Sequence, residues 1–174
     1  MLKLGFIGAG TVGIALASKL NEAGYTVSSV YSRRHESMKK MTDRIPGCRA
    51  ADDCQAVADN SDIVFITTPD GEIGNVVSLI RWENGKSVVH CSGADSTDVL
   101  IPAEVQGAQT GAFHPLQTFA GIDEAIENIP GSTFAIEAEE PLLTELKKMA
   151  SALGGKYIRL EADEKVVYHA AAVM

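Results

Sequence analysis

Short apolar runs alternate along the chain with longer segments whose apolar positions recur at helical spacing. That is the pattern of parallel strands covered by helices on both faces. Residues 2–7, 26–31, 63–67, 87–91 and 109–113 read as strands, and most are continuously apolar, as strands buried on both faces are. Helices are expected over 12–23, 36–44, 53–58, 73–82 and 97–105. Asp53 and Asp70 stand where N-caps or first-turn acids would, and Gly24 where a left-handed glycine ends a helix. Beyond Phe113 the pattern changes to a loop rich in Gly and Pro that runs through 121–131; a strand at 133–137, a helix at 141–153 and a strand at 156–160 follow. The expected fold class is α/β, a doubly wound and mainly parallel sheet.

Residues 164–174 begin a further helix that carries Val166, Val167, Ala170, Ala171 and Val173. A helix this apolar needs a partner to cover it. It either packs on the sheet or opens a second, all-helical domain. The division expected is 1–161 for the sheet domain and 162–174 for the first helix of a truncated helical domain serving substrate binding and dimerisation.

Composition narrows the function classes. The 174 residues are 45% hydrophobic and 22% charged, enough for one full core without disulfide or metal support. A net charge of -8 opposes any broad contact with nucleic acid or anionic lipid, so neither partner is expected and an anion site must be local. No apolar run approaches the roughly 20 residues that span a bilayer, and the start lacks a secretory signal, so the protein is read as cytoplasmic. Cys48, Cys54 and Cys91 form neither a CxxC pair nor a Cys/His quartet; they read as idle thiols, with no metal site.

Gly8-Ala9-Gly10-Thr11-Val12-Gly13 follows the first strand and opens the first helix. In that context Gly8 permits a tight turn, Gly10 lets a pyrophosphate approach the backbone, and Gly13 allows close helix–strand packing, while the helix N-terminus at Thr11 and Val12 faces the phosphates. An NAD site needs an acidic residue about 20 residues further on for the ribose 2′-hydroxyl. Here the segment reads Tyr31-Ser32-Arg33-Arg34. Ser32 can donate a hydrogen bond and the two arginines can pair with a 2′-phosphate, so NADP(H) is the expected cofactor. Thr68 and Pro69, at the carboxyl edge of the next long strand, can line the ribose and nicotinamide, or simply end the strand.

Two more strand ends carry polar residues to the same edge. His114, held extended by Pro115, is an acid–base candidate. Ser92 and Gln117 can hydrogen-bond a substrate carboxylate or carbonyl, although as turn residues they need do neither. On the last helix Lys165 and His169 stand four apart and share a face.

Together, Gly8 to Gly13, Ser32-Arg33-Arg34, Thr68-Pro69-Asp70, His90-Cys91-Ser92-Gly93-Ala94, Gly111-Ala112-Phe113-His114-Pro115-Leu116-Gln117 and Lys165-Val166-Val167-Tyr168-His169-Ala170-Ala171-Ala172 resemble a Rossmann-like family of NADP-linked oxidoreductases. Its members carry a C-terminal helical domain of unknown function. The family is related to pyrroline-5-carboxylate reductase, ketopantoate reductase and the 3-hydroxyacid (6-phosphogluconate-type) dehydrogenases. The resemblance implies that Lys165 falls at the lysine of the Lys-x-x-x-Asn pair that supplies a proton donor and a substrate hydrogen bond in the dehydrogenase and ketopantoate reductase relatives. His169 replaces the Asn. It also implies that Ser92-Gly93 holds a substrate carboxylate, that His114 is similar in kind to the His-Pro histidine of prephenate dehydrogenases, and that the helical domain builds a homodimer.

The function these readings lead to is NADPH-dependent hydride transfer to a carbonyl or imine of a small carboxylate substrate. Two alternatives stay open: a non-catalytic NADP-binding sensor or scaffold, and a prephenate- or arogenate-type dehydrogenase.

Overall fold

The computed structural model describes residues 2–160. In chain order it contains β1 (Lys3–Ile7), α1 (Thr11–Glu22), β2 (Thr26–Tyr31), α2 (His35–Arg44), β3 (Arg49–Ala50), α3 (Cys54–Asp59), β4 (Ile63–Ile66), α4 (Ile73–Ser78), β5 (Ser87–His90), α5 (Ile101–Glu104), β6 (Gln109–Leu116), α6 (Ile122–Asn128), β7 (Thr133–Ala138), α7 (Leu142–Ala152) and β8 (Lys156–Arg159), with 3-10 turns at Asp70–Glu72 and Thr97–Leu100. The eight strands form one sheet in the order β3-β2-β1-β4-β5-β6-β7-β8. Every neighbouring pair is parallel except β6 with β7.

Strand periodicity divides the core into two layers. Leu4, Phe6, Ile63, Phe65, Val89, Phe113 and Phe134 face the layer built by α1, α2, α6 and α7. Ile7, Val64, Ile66 and Val88 face the layer built by α3, α4 and α5. Strands that bury both faces have no polar side to alternate with, which is why these runs are continuously apolar. On the first face the rings of Phe6 and Phe65 stack at 5.1 Å and those of Phe113 and Phe134 at 4.5 Å, with Phe65 edge-on to Phe113. Burying each ring contributes roughly 1.5–3 kcal/mol.

The caps behave as local chemistry dictates. Asp53 accepts from the Ala56 N–H at 2.7 Å as the N-cap of α3, and Gly24 ends α1 at φ +94. Asp70 opens a 3-10 turn, and no side-chain bond caps that turn.

Four local expectations are corrected. The region 121–131 is not all loop but contains α6, which Gly121 caps and where Asp123 and Glu124 supply first-turn acids; Ala125 and Ile129 are buried with α1. The strand expected to stop at 113 runs on to Leu116, because antiparallel β7 pairs with it from Gly111↔Ala138 to Leu116↔Thr133. The helix expected at 73–82 ends at Ser78, and Trp82 instead tucks its indole N–H onto the Val77 carbonyl at 3.0 Å. The helix expected at 97–105 is a 3-10 turn followed by α5, with Pro102 in the first turn of the new helix. In addition β3, an exposed two-residue edge strand, has no hydrophobic pattern to announce it.

Lys165, His169 and the whole segment 162–174 expected to open a helical domain lie outside the described residues. Among the described residues no helix is long and apolar enough to cross a membrane. No group of three or more His, Cys, Asp or Glu among them could hold a metal ion.

Candidate functional site

A cleft of about 650 Å³ opens at the carboxyl ends of β1, β2 and β4, the position where open α/β sheets bind ligands. Its floor is Gly8, Ala9 and Gly10; its walls include Ser32, Arg33 and Arg34 after β2 and Thr67, Thr68 and Pro69 after β4.

The three motif glycines are required by three different contacts. Gly8 has φ +106, and a Cβ there would stand 2.6 Å from the backbone carbon of Thr67. At Gly13 a Cβ would meet Thr67 Oγ1 at 2.4 Å and the Gly8 carbonyl oxygen at 2.6 Å, so α1 can approach β4 this closely only without one. At Gly10, which lines the cleft, a Cβ would meet nothing within 4 Å. Thr67 fastens the turn: its hydroxyl donates to the Gly8 carbonyl at 2.7 Å and its N–H to the Ile7 carbonyl at 2.8 Å. The Gly8 N–H donates to the Tyr31 carbonyl at 2.8 Å, tying the same turn to β2.

The electrostatics of this end favour an anion. Gly10 caps α1 without any side-chain bond, and no acid stands in the first turn, so neither a side chain nor a carboxylate offsets the helix N-terminus. Thr11, Val12 and Gly13 carry the N–H groups that an α-helix leaves without an internal acceptor. Arg33 and Arg34 are exposed on the cleft wall, and neither is in an ion pair among the described residues. No carboxylate follows β2 at Tyr31-Ser32; the acid that does line the cleft, Glu72, comes from the 3-10 turn after β4. Thr68, on the cleft wall, has its Oγ1 buried with no hydrogen-bond partner among the described residues. An open glycine face, an uncompensated helix terminus, two unpaired guanidinium groups and an orphaned hydroxyl are the donor set a phosphorylated dinucleotide requires.

The other candidates lie beyond this cleft, at the ends of β5 and β6. His114 is inside β6, paired with Ala135, rather than on a loop after the strand. Its ring occupies the space next to Gly93, where a Cβ would meet Cε1 at 2.7 Å and Nε2 at 2.8 Å. The structure therefore brings Gly93 and His114 together. Ser92 is 4% exposed, and its Oγ accepts from the N–H groups of Ala94 and Asp95 at 3.1 and 3.0 Å, which leaves the hydroxyl proton to donate elsewhere. Gln117 is exposed and turns its Oε1 back to the Thr118 N–H at 3.1 Å; no bond among those described joins it to Ser92 or His114.

The thiols carry no nucleophile. Burial pushes Cys48 up to about 11. Burial and then the Asp70 charge push Cys91 up to about 12. Cys54, on the cleft wall, is raised by burial and by Asp53. All three stay protonated at neutral pH.

Several cleft residues escape the sequence pattern: Ser37, Cys54, Glu72, Asn75, Val76 and Leu79. Leu79, at the end of α4, is 79% exposed. An exposed leucine at the end of α4 becomes visible only once α4 is docked on the sheet.

Comparison with known proteins places this geometry. A family model described as a Rossmann-like domain matches residues 1–115, and one for a domain of unknown function, DUF2520, matches residues 132–174. A Bacteroides fragilis protein described as a candidate NADP oxidoreductase is 25% identical, with a TM-score of 0.83 over 99% of this chain and 65% of that one. A reductive aminase from Aspergillus terreus, solved with NADPH and ethyl-5-oxohexanoate, shares the fold at 16% identity, with a TM-score of 0.79 over 99% of this chain and 60% of that one. A 3-hydroxyisobutyrate dehydrogenase-like protein of Arabidopsis thaliana is 35% identical over 83 residues, which is 48% of this chain and 24% of that protein. The chain thus spans 65% or less of the length of these relatives.

Proposed function

This chain belongs to the Rossmann-like domain family, and from that premise we propose that it is the cofactor-binding part of an NADP(H)-dependent oxidoreductase acting on a small carboxylate substrate that carries a carbonyl or imine. The observation that carries the reading is the pairing, in one cleft, of the open Gly10 face beneath an uncompensated helix N-terminus with Arg33 and Arg34 at a strand end that has no carboxylate. The NADP oxidoreductase description and NADPH complex among similar structures support the same cofactor.

In this reading Gly8, Gly10, Thr11, Val12 and Gly13 hold the diphosphate through backbone N–H groups and the helix dipole. Ser32, Arg33 and Arg34 hold the 2′-phosphate, the guanidinium groups in the bidentate geometry that suits them. Thr68 donates its free hydroxyl to the ribose or nicotinamide side, with Pro69 shaping the wall. When bound, NADPH supplies the hydride. Ser92, Gly93 and Gln117 orient the substrate carboxylate, and His114 or Lys165, with His169 four residues on in the sequence as its partner, delivers the proton to the carbonyl oxygen or imine nitrogen. Orientation supplies much of the rate, and the proton donor adds on the order of 10²- to 10⁴-fold. We assign 1–161 to the sheet domain and 162–174, which fall within the DUF2520 match, to the substrate and dimerisation region of a homodimer.

Fluorescence titration with NADPH and NADH tests the cofactor assignment. NADPH should bind at least tenfold tighter, and Arg33→Asp with Arg34→Ala should abolish the difference. Equal wild-type affinities would contradict it. For the reaction, the full-length protein is assayed for NADPH oxidation with 2-keto acids, ketopantoate-like acids and cyclic imines. A turnover lost in Lys165→Ala or His114→Ala supports the catalytic assignment, and turnover indifferent to both variants refutes it.

A further inference from the structure

We propose that His90 and Glu137 are positioning residues, one at each end of the loop 91–97, that hold Gly93 against the His114 ring and so preset the substrate end of the site. That this end receives substrate rests on the proposed function; the holding of the loop does not.

Strand register brings the two side chains to one place. His90 on β5 pairs with Ala112 on β6, and Ala112 pairs with Glu137 on β7, so the three form one row across the sheet. Paired residues project from the same face, here the face of Val88 and the α3–α5 layer. His114, two residues beyond Ala112, projects from that face as well. The row therefore ends beneath the loop that leaves β5.

Both side chains are buried, His90 at 0% and Glu137 at 8% exposure. Burying such groups costs free energy that an apolar side chain would not incur, unless hydrogen bonds offset it. Each directs bonds to the same loop. The Ser92 N–H donates to His90 Nδ1 at 3.1 Å. The Thr97 N–H and hydroxyl donate to Glu137 Oε1 at 3.3 and 2.7 Å. Between these anchors Ser92 Oγ closes the turn by accepting from Ala94 and Asp95, which leaves Gly93 at its apex with the His114 ring where a side chain would be. Because Nδ1 accepts this bond, it bears no proton. A leucine at either position would fill the space but could not accept from the loop.

The test uses the full chain and three readouts: amide hydrogen exchange over residues 92–97, the His114 Cε1–H resonance, and the NADPH Kd by fluorescence. In His90→Leu and Glu137→Leu the loop amides should exchange at least tenfold faster and the His114 resonance should move, with the NADPH Kd within twofold of wild type. His90→Asn and Glu137→Gln, which each retain an acceptor oxygen, should recover most of the protection and return the resonance toward its wild-type position. Thr97→Val removes one bond without entering the core, and should accelerate exchange at residues 95–97 even if the leucine variants fail to fold. Wild-type protection in the leucine variants, or in Thr97→Val where those do not fold, would overturn the inference, as would Asn and Gln variants no better than leucine. Failure of the wild type to bind NADPH would sink the proposed function while leaving the loop and resonance readouts to decide this one.

Discussion

Adding one methyl group at Gly10 and one at Gly13 should separate ligand binding from stability. Gly10 has φ -85, ordinary for alanine, and its Cβ would meet nothing within 4 Å. Loss of a glycine cap costs from a few tenths to about 1 kcal/mol, so Gly10→Ala should lower Tm by at most about 4 °C for a domain of this size. Its methyl group nevertheless occupies the open face on which the diphosphate is proposed to lie, and NADPH affinity should fall at least tenfold, or about 1.4 kcal/mol.

Gly13→Ala behaves in the opposite way. Helix propensity alone would stabilise it by about 1 kcal/mol. Against that, the new Cβ stands 2.4 Å from Thr67 Oγ1 and 2.6 Å from the Gly8 carbonyl oxygen. The hydroxyl can turn away only by giving up its bond to Gly8, worth about 1 kcal/mol, and a backbone oxygen cannot turn at all. Overpacking of this kind costs typically 1–3 kcal/mol and here exceeds the propensity gain. The net expectation is a destabilisation of about 1–2 kcal/mol, a fall in Tm of roughly 2–8 °C. Thermal unfolding by circular dichroism and NADPH fluorescence titration read the two effects. Gly10→Ala binding NADPH within twofold of wild type would refute the placement of the diphosphate, and an undiminished Tm in Gly13→Ala would refute the close approach of α1 to Thr67.

Thr67→Val keeps the shape of the side chain but loses the 2.7 Å bond to the Gly8 carbonyl, so stability should drop by about 0.5–1.5 kcal/mol in urea unfolding and NADPH should bind severalfold more weakly; unchanged values in both would show that the clamp is idle. Burial holds the Cys48 thiol up at about 11 against an ordinary 9.0. Its folded pKa lies above its unfolded one, so its contribution is complete below about pH 9 and is lost as pH rises through 11, on the order of 2–3 kcal/mol. The urea midpoint should fall over that window and fall less in Cys48→Ala; identical slopes would contradict the assignment. Gly93→Ala places a Cβ 2.7 Å from His114 Cε1, so the ring must swing aside and its Cε1–H resonance must shift; an unmoved resonance would mean that the ring and loop are not in contact.

What local pattern encodes was legible without a structure. Apolar runs mark β1, β2, β4, β5 and β7, because burial on both faces leaves few polar positions in a strand, while β8 was marked by its strand-forming residues although all four are exposed. Gly24 and Asp53 announce helix boundaries through their own backbone and side-chain chemistry. The motif Gly8 to Gly13 and the missing carboxylate after Tyr31 likewise depend on near neighbours in the chain, so the glycine turn and the Ser32-Arg33-Arg34 wall of the cleft could be named from composition and spacing.

The rest depends on partners distant in sequence. Nothing in residues 111–116 says that an antiparallel strand will extend β6 through His114, and nothing in residues 49–50 marks an edge strand; each exists because a neighbouring strand offers its backbone. The α6 helix was hidden by its Gly- and Pro-rich surroundings, and is held by burial of Ala125 and Ile129 beside α1. The meeting of Gly93 with His114, and the row of His90, Ala112 and Glu137, follow from register across three strands, in which a shift of one residue would turn every side chain to the other face. Sequence by itself determined which residues could do chemistry and where the chain would turn tightly after β1. Tertiary structure alone decided which of those residues share a site, because sheet order and register are set by contacts that no local window contains.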